Sequence, residues 1–168
     1  MENVYLYDTI IGKLMMKENG NAITGIKFAG CYSDADKYND KEIPNSETPI
    51  ILMAKEQLEE YFTGKRKLFQ LPLNPIGTPF QRKVWDCLLQ IPYGETRSYK
   101  EVAIMAGNEN ACRAVGMANN KNPIPILIPC HRVLGSNGKL VGFAGGLDMK
   151  QQLLDIEQSK KHRTAQRR

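Results

Sequence analysis

Apolar and polar positions alternate loosely over residues 4–29, a pattern typical of β-strands. The alternation is interrupted at 18–21 by Glu-Asn-Gly-Asn, a composition that favours a hairpin turn. The pattern therefore predicts an antiparallel meander of three strands at 4–11, 12–17 and 22–29.

Apolar positions recur at helical spacing after residue 47. Thr48 as N-cap and Pro49 at the first helical position predict the start of a helix that ends at Gly64. The polar stretch 30–47 before it predicts an exposed loop, and residues 68–71 after it are a short strand candidate. The apolar face of the helix is expected at Leu52, Met53, Gln57, Leu58, Tyr61 and Phe62.

Capping boxes begin two helices in the second half of the chain. Thr-Pro-Phe-Gln at 78–81 opens the first, and Ser-Tyr-Lys-Glu at 98–101 opens a short one that Gly107 closes. Asn110 is then expected to cap a third helix over 111–120. The last two helices, joined by a tight turn, predict a helix-turn-helix, a motif that binds DNA in many proteins but also occurs as plain packing.

Composition indicates a globular protein without a membrane span, since 42% of residues are hydrophobic and 24% are charged. The first residues lack the basic start and apolar core of a signal peptide, which predicts the cytoplasm, or the nucleus of a eukaryotic cell. The net charge of +5 comes mostly from the tail 159–168. Such a tail either adds salt-dependent attraction to nucleic acid or is a disordered terminus without a specific role.

The four cysteines show no paired or regular spacing, so we interpret them as reduced thiols. Only His131 and His162 could join them as imidazole ligands, and we therefore predict no metal. One cysteine has an unusual setting, in the string Ile-Pro-Cys-His-Arg-Val at 128–133. A thiol beside an imidazole on a proline-stiffened segment is consistent with a reactive thiolate, but from the dipeptide alone a buried structural Cys130 followed by a core histidine is the favoured interpretation.

The helix predicted at 111–120 has a single basic residue, Arg113, among small side chains. This composition does not suit reading of base edges in the major groove, which needs several Arg, Asn or Gln side chains. It suits close approach to the minor groove with one long cation inserted into the base stack. Close helix packing with a solvated Arg113 is the alternative.

The stretch after residue 133 contains a predicted hairpin turn, Ser-Asn-Gly at 136–138, and a glycine-rich loop at 141–146 that would let a ligand lie against backbone. A final helix is predicted from 147 to about 159. Glu157 would lie near its C-terminal end, where the helix dipole disfavours a carboxylate. A carboxylate there suggests another partner.

Together these residues resemble the O6-alkylguanine-DNA alkyltransferases, also called methylated-DNA–protein-cysteine methyltransferases. The resemblance covers residues 79–157, whereas residues 1–74 are merely compatible with the family's variable N-terminal domain. It implies an α+β fold: a small N-terminal α/β, ribonuclease H-like domain at 1–74 and a mainly helical winged helix-turn-helix domain at 75–158. The basic tail at 159–168 lies outside the resemblance and is expected, from its charge, to be disordered. The motifs that carry it are Arg-Ala-Val-Gly at 113–116, Asn-Pro at 122–123, Ile-Pro-Cys-His-Arg-Val at 128–133, Phe-Ala-Gly-Gly-Leu at 143–147, and Glu157.

The resemblance implies a repair protein that moves the alkyl group of O6-alkylguanine, and of O4-alkylthymine, in duplex DNA to its own Cys130, once per molecule. His131 would be the base that deprotonates the thiol through a water, Glu157 would orient that histidine, and Asn122 would be a hinge. Neighbouring side chains on an extended segment point to opposite faces, so Cys130 and His131 are not expected to touch.

The resemblance also implies the binding residues and the partners. Tyr99, Val133 and Ala144 would hold the flipped-out base. Arg113 would fill the gap that this base leaves in the duplex. The partner is double-stranded DNA, the protein is expected to be a monomer without cofactor or metal, and no membrane is involved. The residues expected to contact DNA are Arg113, Ala114, Gly116 and Ala118.

Three other functions fit parts of the sequence. A related protein that binds lesions without transfer would lack the acceptor cysteine, which is present here. A cysteine hydrolase would use Cys130 and His131. It also needs an oxyanion hole, and its mechanism does not require Arg113. A helix-turn-helix regulator would bind a defined DNA sequence and would not depend on Cys130.

Overall fold

The structure, a computed structural model, describes residues 2–28, 46–143 and 145–166, the last eight of these as backbone only. The predicted loop at 30–47 therefore lies almost wholly outside the described residues. The chain divides into two compact units, Met1–Ile76 and Gly77–Arg168. No helix in the described part of the chain is long and apolar enough to cross a membrane.

The first unit contains the predicted meander. Strands β1 (Asn3–Thr9), β2 (Gly12–Glu18) and β3 (Ile23–Phe28) form an antiparallel sheet in the order β1-β2-β3. The sequence pattern missed the turn between β1 and β2, because its two residues are isoleucines. Thr9 holds this turn: its Oγ1 donates to the carbonyl of Gly12 at 2.6 Å and accepts from the amide of Ile11 at 3.2 Å.

Helix α1 (Pro49–Phe62) begins as predicted, with the amide of Ile51 donating to Oγ1 of Thr48 at 3.4 Å. Its buried face is rotated from the predicted one. Leu52 and Met53 are each 46% exposed, whereas Ile51 and Ala54 are fully buried. The apolar run 50–54 is continuous, so helical spacing alone does not define which of its residues face the sheet.

The strand predicted at 68–71 is wrong. The buried side chain of Gln57 takes the position of a neighbouring strand, with Oε1 accepting from the amide of Gln70 at 2.8 Å and Nε2 donating to its carbonyl at 3.1 Å. A single bridge to the sheet follows at Leu73, where the amide and carbonyl of Ile23 bond Pro72 and Asn74, each at 2.9 Å. A side-chain amide thus satisfies backbone groups that a strand would have paired.

In its described residues the second unit has four α-helices, one short pair of strands and both predicted capping boxes. Strand β4 (Arg97–Ser98) pairs in parallel with β5 (Val133–Leu134). The predicted turn at 136–138 forms, but the described residues contain no second strand after it, because β5 pairs with β4 instead. The helices are α2 (Pro79–Leu89), α3 (Tyr99–Met105), α4 (Cys112–Asn120) and α5 (Leu147–Gln166).

Helix α4 packs against α2 and α3, so α3 and α4 form the predicted helix-turn-helix. Trp85 of α2 is buried and donates from Nε1 to the carbonyl of Ala118 at 2.9 Å, which fixes α4 on α2. The predicted cap of α4 is wrong: the N-cap is Ala111, without a side-chain bond. The amide of Asn110 donates to Oδ1 of Asn108 instead, at 3.1 Å, within the turn between the helices.

Helix α5 continues to Gln166, past the end predicted near residue 159. Glu157 therefore lies in the middle of a helix rather than near its C-terminus. The helix dipole acts within the terminal turns, so the predicted conflict with the dipole does not arise. The partners of Glu157 are instead set by side chains packed against α5.

Candidate active site

Cys130–Arg132 forms one turn of 3₁₀ helix, which we call the cysteine turn. The predicted extended segment is wrong here, because the amide of Arg132 turns back to the carbonyl of Pro129 at 3.1 Å. A 3₁₀ helix has three residues per turn, so successive side chains leave it about 120° apart. Cys130, His131 and Arg132 thus point in three directions, and all three are buried.

Asn122 fixes the segment that leads into the cysteine turn. Its Nδ2 donates to the carbonyl of Ile128 at 2.8 Å, and its Oδ1 accepts from the amide of Ile124 at 3.0 Å. Between these contacts Ile126 has a φ of 74°, a left-handed conformation that a β-branched residue rarely adopts. Such strain persists only where the surroundings enforce it, and Asn122 supplies two of the bonds that do so.

Glu157 is a buried carboxylate shared by two residues of the cysteine turn. Its Oε2 lies 2.9 Å from Nε2 of His131, and its Oε1 accepts from Nε of Arg132 at 2.8 Å and from a second guanidinium nitrogen. Burial would raise the pKa of Glu157, but the hydrogen bonds and charges of His131 and Arg132 outweigh burial and lower it. Burial lowers the pKa of His131 against the opposing effect of Glu157, so the imidazole is neutral at neutral pH.

Arg132 is a site residue to which sequence reasoning gave no role. Besides its bonds to Glu157, it donates to the carbonyl of Ile91 at 2.6 Å, and its guanidinium lies 5.8 Å from the ring centre of Tyr93. A planar cation with five donors suits this simultaneous pairing. The signal in the sequence was its position, two residues after the cysteine.

Burial also controls the thiol. Cys130 is 3% exposed, and burial raises its pKa to about 11 although the Asn122 amide and the Lys150 charge lower it. Lys150 is fully buried, and its Nζ donates to the carbonyls of Val141 and Gly142 at 3.0 and 3.4 Å. Burial lowers the pKa of this lysine, whereas Cys130 acts in the opposite direction.

Sequence reasoning also missed Lys150. A lysine in a helix is normally solvated, so residue type gave no reason to select it. Its spacing was the available signal: Lys150, Leu153, Leu154 and Glu157 follow the helical period of the buried face of α5.

Two of the three predicted base-binding residues lie beside this centre. The hydroxyl of Tyr99 donates to the carbonyl of Val141 at 2.8 Å, so the loop that receives Lys150 also receives Tyr99. Val133 is buried in β5, directly after the cysteine turn. Ala144 lies outside the described residues.

The exposed face of helix α4 carries one basic side chain, Arg113, among mostly small ones. Arg113 and Ala114 are exposed, as is Met117, which lies one turn beyond Arg113 and is 63% exposed. Gly116 is partly exposed beside the ring of Tyr99. Ala118 is a correction to the predicted DNA contacts, because it is buried and its carbonyl accepts from Trp85.

Asn119 joins α4 to the nucleophile. It is 2% exposed, and its Nδ2 donates to the carbonyl of Cys130 at 3.3 Å. The helix-turn-helix and the cysteine turn are thus connected directly by a buried hydrogen bond. A movement of α4 would therefore displace the backbone of Cys130, which carries the thiol.

Two family models match nearly the whole chain. The ribonuclease-like domain of 6-O-methylguanine DNA methyltransferase matches residues 4–75, and the DNA binding domain of the same family matches residues 79–159. The constitutive methylated-DNA–protein-cysteine methyltransferase of Bacillus subtilis is 46% identical over 155 residues, which cover 89% of this chain and 92% of the relative. That of Methanosarcina acetivorans is 45% identical over 156 residues, which cover 92% and 97%.

Solved structures agree with the sequence relatives. The crystal structure of Mycobacterium tuberculosis O6-methylguanine methyltransferase has a TM-score of 0.84 and 41% identity, over 95% of this chain and 94% of that one. Mycobacterium tuberculosis OGT in complex with DNA has a TM-score of 0.82 and 40% identity, over 94% of each chain. With a buried cysteine-histidine turn, a helix-turn-helix and both family models in one chain, this protein belongs to the 6-O-methylguanine DNA methyltransferase family.

Proposed function

We propose that this protein repairs duplex DNA by transferring the alkyl group of O6-alkylguanine, and of O4-alkylthymine, to Sγ of its own Cys130, and that each monomer does so once. The observation that carries the proposal is the cysteine turn. It combines a buried thiol with the paired His131 and Glu157, and a hydrogen bond joins it to the second helix of a helix-turn-helix.

Helix α4 is the DNA-contacting element in this proposal. Its exposed small residues allow close approach to the minor groove, and Arg113 is the side chain that replaces the flipped-out nucleotide. A base inside the duplex cannot reach a thiol that is itself buried, so flipping is required for transfer. The DNA binding domain model over residues 79–159 and the DNA complex of the Mycobacterium tuberculosis relative support this role.

The electrostatics of the site support a thiol that becomes reactive only with substrate in place. Since the pKa of Cys130 is raised to about 11, the resting group at neutral pH is the neutral thiol. His131 is neutral as well and has Glu157 available to stabilise the imidazolium. The two side chains leave the turn about 120° apart, so in this proposal a water carries the proton between them.

The transfer step then balances as a displacement at carbon. The proton of the Cys130 thiol passes to His131, and sulfur forms a bond to the alkyl carbon while the bond from that carbon to O6 breaks. The electron pair stays on the guanine, which takes up a proton and returns to its normal form. Lys150 stabilises the developing thiolate by its charge, and the hydroxyl of Tyr99 exchanges its bond to Val141 for one to the base.

The product explains why the protein acts once. S-alkylcysteine is a thioether, and neither hydrolysis nor thiol–disulfide exchange restores the thiol from it. One equivalent of protein therefore repairs one lesion.

Peptide mass spectrometry after incubation with duplex DNA containing O6-methylguanine tests the proposal. We expect one added methylene on the peptide that contains Cys130 and a plateau at one lesion per protein. Cys130→Ser should abolish repair but retain DNA binding. Continued turnover would indicate a hydrolase, and a label on Cys87 or Cys112 instead of Cys130 would exclude the proposed acceptor.

A further inference from the structure

Met117 is a large apolar side chain on the exposed face of α4, the helix that contacts DNA in the proposed function. It is 63% exposed, and its exposed neighbours on that face are small or polar. Arg113 lies four residues before it, and Lys121, the exposed C-cap of α4, lies four residues after it. Residues four apart share one face of a helix, so these three side chains form a line along α4. We call this line the α4 stripe.

One edge of the α4 stripe borders the active site. The side chain of Asn120 packs against Gly142 of the glycine-rich loop so closely that a Cβ at Gly142 would lie 2.8 Å from Oδ1 of Asn120. Met117 lies three residues before Asn120, and residues three apart are neighbours on a helix surface. The methionine is therefore beside the pocket but outside it, so a duplex that delivers a nucleotide to Cys130 from α4 covers Met117.

The order of charged and apolar side chains along the α4 stripe matches the minor groove of a duplex. Phosphates border this groove on both sides, and sugars and base edges line it. A single exposed apolar residue needs no explanation by itself. Met117, however, lies between two cations on a helix of a DNA binding domain. Minor-groove proteins often place apolar side chains, methionine included, against the bases. The unbranched thioether is flexible enough to follow an irregular surface.

We propose that Met117 packs against sugars and base edges of the minor groove beside the flipped nucleotide, and that Lys121 binds a phosphate of the same duplex. This inference rests on the proposed function. The two contacts differ in kind. Lys121 releases a counterion when it neutralises a phosphate, so its contribution to the affinity falls as the salt concentration rises. Met117 contributes by removing apolar surface from water, which releases no counterion. Part of the affinity for duplex DNA is therefore independent of salt.

The test measures the dissociation constant of a duplex oligonucleotide containing O6-methylguanine at several salt concentrations. Cys130→Ser is the background, because transfer would otherwise consume the lesion during the measurement. Met117→Gln keeps the length of the side chain but makes its end polar. It should weaken binding by about tenfold at every salt concentration and leave the salt slope unchanged. Met117→Leu keeps the apolar surface and should bind within about threefold of the background. Lys121→Gln should reduce the salt slope by about one.

Met53→Gln is the matched control, because Met53 is 46% exposed on α1 and its substitution should change neither the affinity nor the slope. Unchanged affinity in Met117→Gln would overturn the inference, since the methionine would then stay solvated in the complex. A reduced slope in that variant, or an equal loss in Met117→Leu, would also overturn it, because apolar contact would not be the cause. Failure of the proposed function looks different: no methyl group would reach Cys130 of the unmodified protein, whereas these affinities would still report on Met117.

Discussion

Arg132 donates twice to Oε1 of Glu157, which leaves Oε2 to pair with Nε2 of His131 at 2.9 Å. One buried carboxylate thus holds two neighbouring side chains of the cysteine turn. Arg132 keeps Glu157 charged in a buried environment, and the charged carboxylate then orients His131. Arg132 is therefore a positioning residue for the base, although it is not expected to touch the substrate.

Removal of Arg132 should be strongly destabilising. Arg132→Met leaves Glu157 buried without its cation, and breaking a buried pair from one side costs about 3–5 kcal/mol. Urea denaturation measures the free energy of unfolding. Arg97→Met is the matched control, because Arg97 pairs with Glu95 at 3.2 Å in a partly exposed position and should lose at most about 1 kcal/mol. Equal losses in the two variants would contradict the role given to Arg132.

Stability should fall as the pH decreases, in two windows. Burial lowers the pKa of His131 in the folded protein. Below about pH 6.5 the unfolded chain therefore binds a proton that the folded protein does not bind, and the free energy of unfolding decreases. The pKa of Glu157 is lowered by His131 and Arg132 against the effect of burial, so its contribution is complete above about pH 4.3 and is lost as the pH falls below that value. Both groups therefore lower the free energy of unfolding as the pH decreases.

Urea denaturation from neutral pH down to about pH 2 tests this linkage, because it covers both windows. His131→Gln should flatten the upper part of the curve, and Glu157→Gln should flatten the lower part, since each variant removes one titrating group. If both variants followed the unmodified protein with the same slopes, the stability would depend on other groups.

The sequence predicted elements whose signals are local. Thr48, Thr78 and Ser98 each begin a helix where expected, because a cap needs only a side chain and a backbone amide three residues away. The sequence-based prediction of a strand at 68–71 failed because a distant side chain, that of Gln57, replaces backbone pairing at Gln70. Nothing in residues 68–71 themselves reports a glutamine on another element.

The site shows the same division. Cys130 and His131 could be selected because they are adjacent and chemically distinctive. Arg132, Lys150 and Asn119 could not be selected by residue type, since each is a polar type that is usually solvated, and its burial is decided by packing from other elements. The left-handed φ of Ile126 was equally hidden, because residue type argues against it.

Two alkylating reagents should modify different cysteines of this protein. Near neutral pH, iodoacetamide should modify the partly exposed Cys112 before Cys130, because Cys130 is buried and its pKa is raised to about 11. O6-benzylguanine should label Cys130 and leave Cys112 unmodified, since its reaction depends on the pocket. Peptide mass spectrometry at successive times gives the order in which each reagent modifies the two cysteines. Rapid modification of Cys130 by iodoacetamide at neutral pH would contradict a protected thiol.

Asn122 should contribute to both stability and reactivity. Asn122→Ala leaves the carbonyl of Ile128 and the amide of Ile124 unpaired, which should cost about 2–4 kcal/mol, and it removes a contact that lowers the pKa of Cys130. Urea denaturation and the rate of Cys130 benzylation measure the two effects. The exposed Asn137→Ala is the control and should change stability by no more than about 0.5 kcal/mol. Unchanged stability in Asn122→Ala would show that water replaces the amide.

Arg113 should matter for duplex DNA and not for the chemistry. Arg113 is exposed on α4, so Arg113→Ala should leave the reaction with free O6-benzylguanine nearly unchanged. In duplex DNA the variant lacks the side chain that fills the vacated stack, and repair should slow by about tenfold or more, since unstacking a base costs a few kcal/mol.

The exposed Arg82→Ala on α2 provides the charge-matched control. If Arg113 only attracted phosphates, both variants would weaken duplex repair to similar extents, and added salt would diminish the difference from the unmodified protein. If Arg113 replaces the flipped nucleotide, its loss should persist at saturating DNA, where binding no longer limits the rate. Duplex repair rates measured at saturating DNA and at two salt concentrations therefore distinguish an inserted side chain from general electrostatic attraction.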